Sequence, residues 1–375
     1  MRKVLTFVGT RPELIKLCLV IREMDQAFHH VLVHTGQNYD YELNEIFFKD
    51  LQIRKPNFFL NCAQSTAIET IAKVLVEGDK ILAQENPDAI LLYGDTNSCL
   101  VALAAKKRKI PIFHMEAGNR CFDLRVPEEI NRKIIDHLSD INLPLTEHGR
   151  QFLLNEGIPA HRIIKSGSCM KEILTHFQKQ ISSSSVLAKF NLTKSKYFIV
   201  SSHREENVDV PDKLQALMES LSELHKLYQM PILFSVHPRT VKKLEQLKDF
   251  KMPKEIIVSK PLGFFDYVHL QTNALCVLSD SGTLMEEAGI LGFPAVFLRD
   301  AHERLEGMDS GTLIMSSVNK ERVLEAVKIT LNQAPSFEHA KHLVPDYEIQ
   351  GVAQSTVRVI QSYIDLINRE VWKKV

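Results

Sequence analysis

The chain has 375 residues, 45% of them hydrophobic and 25% charged, which is the composition of an ordinary globular protein. A chain of this length exceeds what one hydrophobic core usually supports, so we expect about two domains. Its 46 basic and 46 acidic residues cancel, and without a net positive field we expect neither nucleic acid nor a membrane surface as a partner.

The six cysteines contain no CxxC pair, and no histidine cluster has the spacing of metal ligands. We therefore expect no metal site, and thiols of this kind suit a reducing cytoplasm. The N-terminal apolar run VLTFV is too short for a secretory signal, and no apolar stretch approaches the roughly 18 residues of a membrane span.

Strand-like and helix-like segments alternate along the whole chain. The apolar runs in the first half are VLTFV, HVLVH, DAILLYG, IPIFHM and DINLPL, and those in the second half are KYFIVSS, PILFSV, EIIVS, ALCVLSD and PAVFLRD. Segments with a 3.6-residue apolar period follow them. This alternation predicts an α/β protein in which parallel sheets carry helices on both faces.

A serine-rich stretch divides the two halves. Residues 178–196 contain four consecutive serines and little regular apolar spacing, so we interpret them as a linker between domains at 1–177 and 197–352. Beyond these, Ile360, Ile364 and Ile367 have helical spacing, which predicts that residues 353–373 form a closing amphipathic helix.

Ligands of open α/β sheets bind outside the carboxyl ends of the strands, so candidate site residues are sought there. The first such stretch is VGTRPELIK, in which Thr10 and Glu13 have capping-box spacing. Arg11 and Lys16 lie near the same helix start and are either part of an anion site or solvated surface cations. The pattern GxGxxG is absent, which disfavours a dinucleotide cofactor.

The next two strand ends carry carboxylates. Asp95 in LLYGDTNSC is either a turn residue or a catalytic group. Glu116 follows the strand-like run IPIFHM, and a carboxylate after a buried strand needs a partner or a function. We expect that partner among the nearby arginines Arg120, Arg125 and Arg132.

A helix is predicted to begin at Pro127 in the segment VPEEINRK. Glu128 and Glu129 lie in its first turn, where acidic residues complement the helix dipole. Ile130, Ile134 and Leu138 have the spacing of one face of this helix, which we interpret as its apolar face.

The second half offers two further stretches at strand ends. His203 and Arg204 follow the strand of VSSHREEN, where a histidine is either a structural hydrogen-bonding residue or a functional one. In VLSDSGTLMEEAGILGFP, Ser281 and Gly282 form a turn of small residues before a helix, where backbone N–H groups can hold a phosphate.

The same helix start provides a capping pair and a further carboxylate. Thr283 and Glu286 have capping-box spacing, whereas Glu287 is spaced to contact a sugar diol. Taken together, carboxylates in the first half and a phosphate turn in the second predict a nucleotide-sugar ligand between two domains.

Seven ordered motifs support a family resemblance over nearly the whole chain. GTRPELIK, GDT, HMEAGNR, PEEINR, SHREEN, VHP and SDSGTLMEEA closely resemble the non-hydrolysing UDP-N-acetylglucosamine 2-epimerases. The resemblance implies a glycosyltransferase-B-like fold of two Rossmann-like domains, with the helix at 353–373 returning to the first domain. It also implies a UDP-sugar substrate, a homodimer, and no metal or redox cofactor.

The implied reaction inverts C2 of a UDP-linked 2-acetamido sugar through elimination and re-addition of UDP, for precursors of surface polysaccharides. By this resemblance the catalytic residues are Asp95, Glu116, Glu128 and His203. The substrate and UDP-binding residues are Arg11, Lys16, Arg132, Arg204, Ser281, Gly282, Thr283 and Glu287. Clustered carboxylates can divide into acid and base, and the resemblance leaves open which residue takes which part.

Several motifs depart from the usual family pattern. The loop GNRCFDLRV is shortened, Thr283 replaces a glycine, Glu205 replaces an arginine, and TGQNYDYELN replaces a segment linked to an activating second UDP-sugar. These variants resemble the branch that forms UDP-N-acetyl-L-fucosamine from its L-talose isomer. A glycosyltransferase of the same fold, a hydrolysing epimerase and a non-enzymatic UDP-sugar-binding regulator are the remaining alternatives.

Overall fold

The computed structural model describes residues 1–37, 48–236, 238–246, 254–337 and 344–374. These residues form two compact units, the first comprising Met1–Thr175 with Asp346–Val375 and the second comprising His176–Pro345. Within the described residues, no helix is long and apolar enough to cross a membrane.

The first unit is built on a parallel six-stranded sheet. Its strands are β1 (Lys3–Val8), β2 (His29–His34), β3 (Phe58–Phe59), β4 (Ala89–Tyr93), β5 (Ile112–Met115) and β6 (Ile141–Leu143), in the spatial order β3-β2-β1-β4-β5-β6. The order reverses between β1 and β4, which makes their carboxyl ends the topological switch point where ligands of such sheets bind.

Helices cover both faces of this sheet. They are Arg11–Ala27, Ala67–Glu85, Ala102–Lys107, Pro127–Leu138, Glu147–Asn155, Met170–His176 and Val352–Glu370. Leu5, Phe7 and Val33 of the sheet form one buried cluster with Val74 and Ile135 of two of these helices. Apolar residues are buried on both faces, and the strands therefore consist of nearly continuous apolar runs.

The second unit repeats the architecture. Its strands are β7 (Phe198–Ser201), β8 (Ile232–Ser235), β9 (Ile256–Ser259), β10 (Cys276–Ser279), β11 (Ala295–Leu298) and β12 (Ile314–Ser316), in the order β12-β11-β10-β7-β8-β9. Its helices are Gln178–Ser182, Val186–Lys189, Glu205–Val208, Pro211–Tyr228, Pro238–Gln246, Phe264–Asn273, Leu284–Leu291, Leu305–Asp309 and Lys320–Phe337. The switch point of this sheet lies between β7 and β10.

The predicted α/β class with two Rossmann-like domains is confirmed, and all ten predicted strands are present. The prediction missed β3 and β12, which contain two and three residues at the edges of their sheets. Runs this short carry no detectable period-2 pattern, because a strand signal needs about four residues or more.

The serine-rich stretch at 178–196 is folded. It contains the helices Gln178–Ser182 and Val186–Lys189, and it lies within the second unit. Val186 and Leu192 are buried in the core of that unit, while the hydroxyl of Ser184 accepts from the amide of Val186 and donates to Asp266. The serines thus start a short helix, a role that composition alone does not separate from a linker.

The helix Val352–Glu370 belongs to the first unit, where it packs against the helix Arg11–Ala27. Ile360, Ile364 and Ile367 are buried on its apolar face. Its first amide, that of Val352, donates to the Glu172 carboxylate over 2.7 Å. A carboxylate at this end stabilises the helix because it satisfies an N–H group that lacks an intrahelical partner.

Candidate active site

The loop after β1 is held by a buried carboxylate. Glu13 is 2% exposed, and its Oε2 accepts hydrogen bonds from the amides of Gly9 at 2.8 Å and Thr10 at 2.6 Å. Its Oε1 accepts from the Thr96 hydroxyl at 2.9 Å. Burial raises the pKa of Glu13 to about 7 although these donors lower it. The predicted capping box is confirmed, and it also ties the β1 loop to the loop after β4.

The two cations of the first loop occupy different environments. Arg11 is partly buried at the first residue of its helix, whereas Lys16 is only 2% exposed. A lysine is almost never buried to this extent without compensating partners. Lys16 is therefore not a solvated surface cation, which was one of the two readings of the sequence.

Asp95 follows β4 through Gly94, whose φ of +73° lies in the left-handed region. The carboxylate of Asp95 accepts from Arg132 Nε at 2.7 Å, and its carbonyl oxygen accepts from the amide side chain of Asn131 at 2.9 Å. Charge-assisted hydrogen bonds of this length are among the stronger ones in proteins. Two side chains of the helix Pro127–Leu138 thus hold Asp95: Arg132 binds its carboxylate, and Asn131 binds its backbone carbonyl.

Glu116 ends β5 in a strained conformation. Its φ is +63°, which is uncommon for a residue with a side chain and is concentrated at functional sites. The hydroxyl of Tyr93 donates to Glu116 Oε2 at 2.6 Å, and the other oxygen lies 3.9 Å from the position that a Cβ atom at Gly94 would take. The carboxylate of Glu116 therefore lies beside Gly94, the residue that precedes Asp95.

Of the three arginines considered as partners of Glu116, Arg120 binds other carboxylates. Arg120 is fully buried and donates to Asp136 at 2.7 Å and to Glu156 at 2.6 Å. Arg125 donates to Asp123 at 2.6 Å. The sequence analysis did not anticipate the contact with Tyr93, which reaches Glu116 from the neighbouring strand β4.

The helix Pro127–Leu138 buries polar as well as apolar side chains. Glu129 and Arg132 are buried, whereas Ile130 is 50% exposed and Ile134 41% exposed. The predicted apolar face is therefore only partly buried: Leu138 packs against the core cluster that contains Ile135 of the same helix. Glu128 is partly buried one turn before Arg132, a spacing that places the two side chains on the same side of the helix.

Glu129 fixes the loop that follows Glu116. Its carboxylate accepts from the amides of Cys121 at 3.0 Å and Phe122 at 3.2 Å, and from Arg132 at 2.9 Å. Burial alone would raise the pKa of Glu129, but these donors and the Arg132 charge lower it. Glu129, Arg132 and Asp95 consequently form one chain of contacts from the loop to the proposed acid/base group.

The second unit presents His203 and Arg204 directly after β7. Asp280, which follows the adjacent strand β10, is fully buried and accepts from both of their amides at 3.1 Å. It also accepts from the hydroxyl of Ser202 at 2.7 Å and the amide side chain of Asn207 at 3.1 Å. Asp280 was not recognised in the sequence. Its position at the end of the strand before SGT was the signal that could have identified it.

The turn of small residues after β10 is present. Ser281 Oγ lies 3.1 Å from the hydroxyl of Thr283, and the Ser281 carbonyl accepts from the amide of Leu284. The predicted capping box of Thr283 and Glu286 is wrong. Thr283 has helical dihedral angles and no capping bond to the backbone, and Glu286 lies 3.4 Å from Arg304 instead.

Gly282 and Glu287 complete the set predicted in this unit. A Cβ atom at Gly282 would lie 2.5 Å from Glu303 Oε1, so glycine is required for the close approach of that side chain. Glu287 is 6% exposed and accepts from the amide side chain of Gln271 at 2.7 Å. Glu303 also lies 3.7 Å from Arg204 and 3.1 Å from Arg299. Glu303 and Arg299 were not singled out in the sequence.

One sequence prediction lies largely outside the residues that the structure describes, and another concerns metal binding. Residues 38–44 of the segment TGQNYDYELN, and with them the question of a second UDP-sugar site, lie outside the described residues. Across the residues that the structure describes, no group of three His, Cys, Asp or Glu side chains is placed to hold a metal ion.

Comparison with known proteins identifies close relatives. The family model described as UDP-N-acetylglucosamine 2-epimerase matches residues 22–362. A solved UDP-N-acetylglucosamine 2-epimerase of Rickettsia bellii is 54% identical, with 100% of both chains covered and a TM-score of 0.94.

Three further comparisons extend over most of the chain. A Methanocaldococcus jannaschii UDP-GlcNAc 2-epimerase solved with UDP-GlcNAc and UDP is 36% identical, covering 96% of this chain and 99% of that one, with a TM-score of 0.88. The curated UDP-N-acetylglucosamine 2-epimerase of that species is 38% identical over 90% of this chain and 94% of its own length. The UDP-2,3-diacetamido-2,3-dideoxy-D-glucuronate 2-epimerase of Pseudomonas aeruginosa is 33% identical, covering 96% of this chain and 98% of that one.

Proposed function

This chain belongs to the UDP-N-acetylglucosamine 2-epimerase family, and we propose that it interconverts UDP-N-acetylglucosamine and UDP-N-acetylmannosamine without net hydrolysis. The observation that carries this proposal is the grouping of Asp95 and Glu116 around the turn at Gly94, with Arg132 bound to Asp95. The Methanocaldococcus jannaschii relative was solved with UDP-GlcNAc and UDP.

In this reaction the bond to the leaving group UDP must break before a base can remove the proton from C2. The hydrogen on C2 of the sugar is not adjacent to a carbonyl and is hardly acidic, so cleavage of the C1–O bond runs ahead of proton loss. The electron pair of that bond leaves with UDP, the C2 proton passes to an enzyme carboxylate, and a 2-acetamidoglucal remains. Re-addition of UDP at C1, with protonation of the opposite face of C2, gives the epimer.

Inversion needs proton-transfer groups on both faces of the ring. Asp95, Glu116 and Glu128 are the proposed groups, since the Glu116 carboxylate lies beside Gly94, the residue before Asp95, and Glu128 lies on the helix that binds Asp95. Carboxylates at this position also stabilise positive charge developing at C1. Arg132 and Tyr93 orient Asp95 and Glu116 respectively.

The second unit is proposed to bind UDP. In this proposal, backbone N–H groups at the turn of Ser281, Gly282 and Thr283 donate hydrogen bonds to a phosphate at the start of the helix Leu284–Leu291. His203 and Arg204 stabilise the charge of the departing diphosphate, and Glu287 binds the ribose diol. Arg11 and Lys16 are the proposed cations of the first unit.

Deuterium incorporation tests the reaction directly. The protein is incubated in D2O with UDP-N-acetylglucosamine alone, and C2 is followed by NMR. We expect deuterium at C2 and appearance of the manno epimer, with UDP re-added and no stoichiometric N-acetylmannosamine. A glycosyltransferase without an acceptor leaves C2 untouched, and a hydrolysing epimerase releases free sugar. Absence of deuterium at C2 with both UDP-N-acetylglucosamine and UDP-2-acetamido-2,6-dideoxy-L-talose contradicts the proposal.

A parallel incubation tests a second candidate substrate, a 6-deoxy sugar. The shortened loop GNRCFDLRV resembles that of the UDP-N-acetyl-L-fucosamine-forming branch, and its Phe122 and Leu124 are 67% and 65% exposed. Apolar side chains suit a sugar that carries a methyl group in place of a hydroxymethyl group. UDP-2-acetamido-2,6-dideoxy-L-talose replaces UDP-N-acetylglucosamine in this arm, and exchange with one sugar alone identifies the substrate.

The family resemblance also leads us to propose a homodimer. Light scattering of the purified protein measures its mass, and a value twice that of one chain is expected. A mass of one chain at micromolar concentration contradicts this part of the proposal.

A further inference from the structure

The motif HMEAG contains a buried histidine to which the proposed reaction gives no part. His114 lies in β5, two residues before Glu116, and is 1% exposed. Its Nδ1 lies 2.9 Å from Asp136 Oδ1, and its Nε2 lies 2.7 Å from the carbonyl oxygen of Gly94. Both ring nitrogens therefore have close partners, one on the helix Pro127–Leu138 and one in the turn after β4.

Both partners are acceptors. A carbonyl oxygen has no hydrogen to donate, and Asp136 also accepts from the Gly118 amide at 3.1 Å and from Arg120 at 2.7 Å, which is the pattern of an ionised carboxylate. Burial alone would raise the pKa of Asp136, but the bonds and charges of His114 and Arg120 lower it. A neutral imidazole carries only one N–H group and cannot donate to both acceptors, whereas an imidazolium can.

The surrounding charges are consistent with a buried cation. The charged groups around the ring are Asp136 and, bound to that carboxylate, Arg120, which also binds Glu156. With His114 protonated, two positive and two negative groups are present and their charges cancel. His137 lies at the outer end of this network, 3.2 Å from Glu156, and its side chain is 51% exposed. A neutral, fully hydrogen-bonded cluster is the form in which charges are tolerated in a protein interior.

We propose that His114 is a positioning residue that, as an imidazolium, sets the relative placement of the Asp95 and Glu116 backbones. One ring nitrogen holds the carbonyl of Gly94, the residue before Asp95. The other holds Asp136, which in turn holds the amide of Gly118, two residues after Glu116. This inference rests on the proposed function, because it assigns His114 to the two carboxylates of that reaction.

The same contacts account for the strained backbone of Glu116. A φ of +63° persists in a residue with a side chain only where its surroundings over-determine it. Here the strand pairing of β5 fixes the chain before Glu116, and the Asp136 bond to Gly118 fixes it after. His114 joins the two, since it lies in β5 and binds Asp136.

Substitution of His114 by Gln tests the positioning role. A glutamine side chain has one amide donor group and one acceptor, so the bond to Gly94 or the bond to Asp136 is lost. A misplacement near 1 Å can cost about 10²-fold in rate, and we expect a kcat loss of that order with UDP affinity unchanged. The matched control is His137→Gln at the exposed end of the network, for which we expect wild-type kcat. Wild-type kcat in His114→Gln overturns the proposal.

The protonation state is measured separately in the wild-type protein. Nitrogen-15 NMR of histidine-labelled protein is recorded at a pH where exposed histidines, with a pKa of about 6.5, are neutral. We expect one histidine with two protonated, slowly exchanging ring nitrogens, and its signal should be missing in His114→Gln. A neutral ring at His114 overturns the proposal even if the variant does not fold. If the wild-type protein exchanges no C2 hydrogen, the proposed function fails, and this spectrum still tests the state of His114.

Discussion

Asp280 Oδ1 lies 3.2 Å from Nδ1 of His203, at the switch point between β7 and β10. Asp280 is fully buried, whereas the His203 side chain is 52% exposed. The carboxylate therefore fixes one side of the ring and leaves Nε2 directed away from it. A carboxylate bound to Nδ1 selects the tautomer of a neutral imidazole and favours its protonated form. In the proposed reaction, this pair would orient His203 toward the departing diphosphate.

Replacement of Asp280 by Asn therefore weakens His203 without removing it. We expect kcat to fall roughly 10- to 100-fold, less than the loss of up to about 10⁴-fold that removal of an acid/base group brings. The amide that replaces the carboxylate carries no charge, so it holds the His203 ring and the amides of His203 and Arg204 more weakly. Asp212→Asn, an exposed change in a nearby helix, is the control, and kcat and KM are measured for both variants. A wild-type kcat in Asp280→Asn contradicts this role.

Glu116→Gln tests the proposed acid/base group most directly. The amide cannot take up the C2 proton, so C2 exchange in D2O should fall by about 10²-fold or more. UDP affinity, measured by calorimetry, should stay the same because Glu116 is not among the proposed UDP-binding residues. Glu77→Gln is the matched control, since Glu77 forms only an ion pair with Lys80 within its own helix. Retained turnover in Glu116→Gln refutes the assignment.

Ionisation of the buried Glu13 carboxyl should lower the free energy of unfolding as the pH rises. Burial raises its pKa from 4.5 to about 7, so its contribution to stability is fully present below pH 4.5 and is lost as the pH rises through 7. Relative to Glu13→Gln, we expect the wild-type protein to lose up to about 3 kcal/mol across this range. Urea unfolding is followed by fluorescence of the single tryptophan, Trp372, which lies in the first unit.

The control for Glu13 is a second capping-box glutamate with the opposite shift. Glu69 is exposed, and hydrogen bonds from Ser65 and Thr66 lower its pKa. Its contribution is therefore present above its unfolded pKa and is lost as the pH falls. The effect of Glu69→Gln should disappear at low pH, where Glu13 keeps its full contribution. The same pH trend in both variants would show that burial of Glu13 is not the cause.

Gly282→Ala tests the close approach of Glu303 to the phosphate turn. The added Cβ would lie 2.5 Å from Glu303 Oε1, so the carboxylate must move from its position 3.1 Å from Arg299. We expect UDP to bind about tenfold more weakly, a change of about 1.4 kcal/mol. In a Glu303→Ala background the obstruction is absent, and Gly282→Ala should then have little further effect. Equal losses in both backgrounds would exclude the steric explanation.

Sequence patterns predicted the fold well because both sheets are parallel and buried. Their strands are continuous apolar runs, and the strand order places Asp95 and Asp280 at switch points. The edge strand β12 was missed because edge pairing of three residues has no sequence period. The proposed acid/base carboxylates were selected from strand ends and family motifs, which are local signals.

The partners of those carboxylates were not predictable in the same way. Tyr93 at the end of β4 contacts Glu116, which follows the neighbouring strand β5. Asp280 contacts His203, which lies 77 residues earlier in the sequence. The helix Pro127–Leu138 was predicted only in part, because apolar spacing normally marks the buried side of a helix. Here Ile135 packs in the apolar core while Glu129 and Arg132 are buried as well, and Ile130 is 50% exposed. Apolar periodicity does not identify polar side chains that are buried because they hold neighbouring loops.

The helix Val352–Glu370 makes a final prediction about stability. Ile364 is fully buried on the side that packs in the first unit, and its truncation leaves a cavity in that core. We expect Ile364→Ala to lower the free energy of unfolding of this unit by about 2–5 kcal/mol. Gln361→Ala, at an exposed position of the same helix, should change it by less than about 0.5 kcal/mol. Urea unfolding followed at Trp372 separates these outcomes, because the ring lies 5.2 Å from Lys106 Nζ in the folded unit. Equal midpoints for the two variants would mean that this helix is not part of the cooperative core of the first unit.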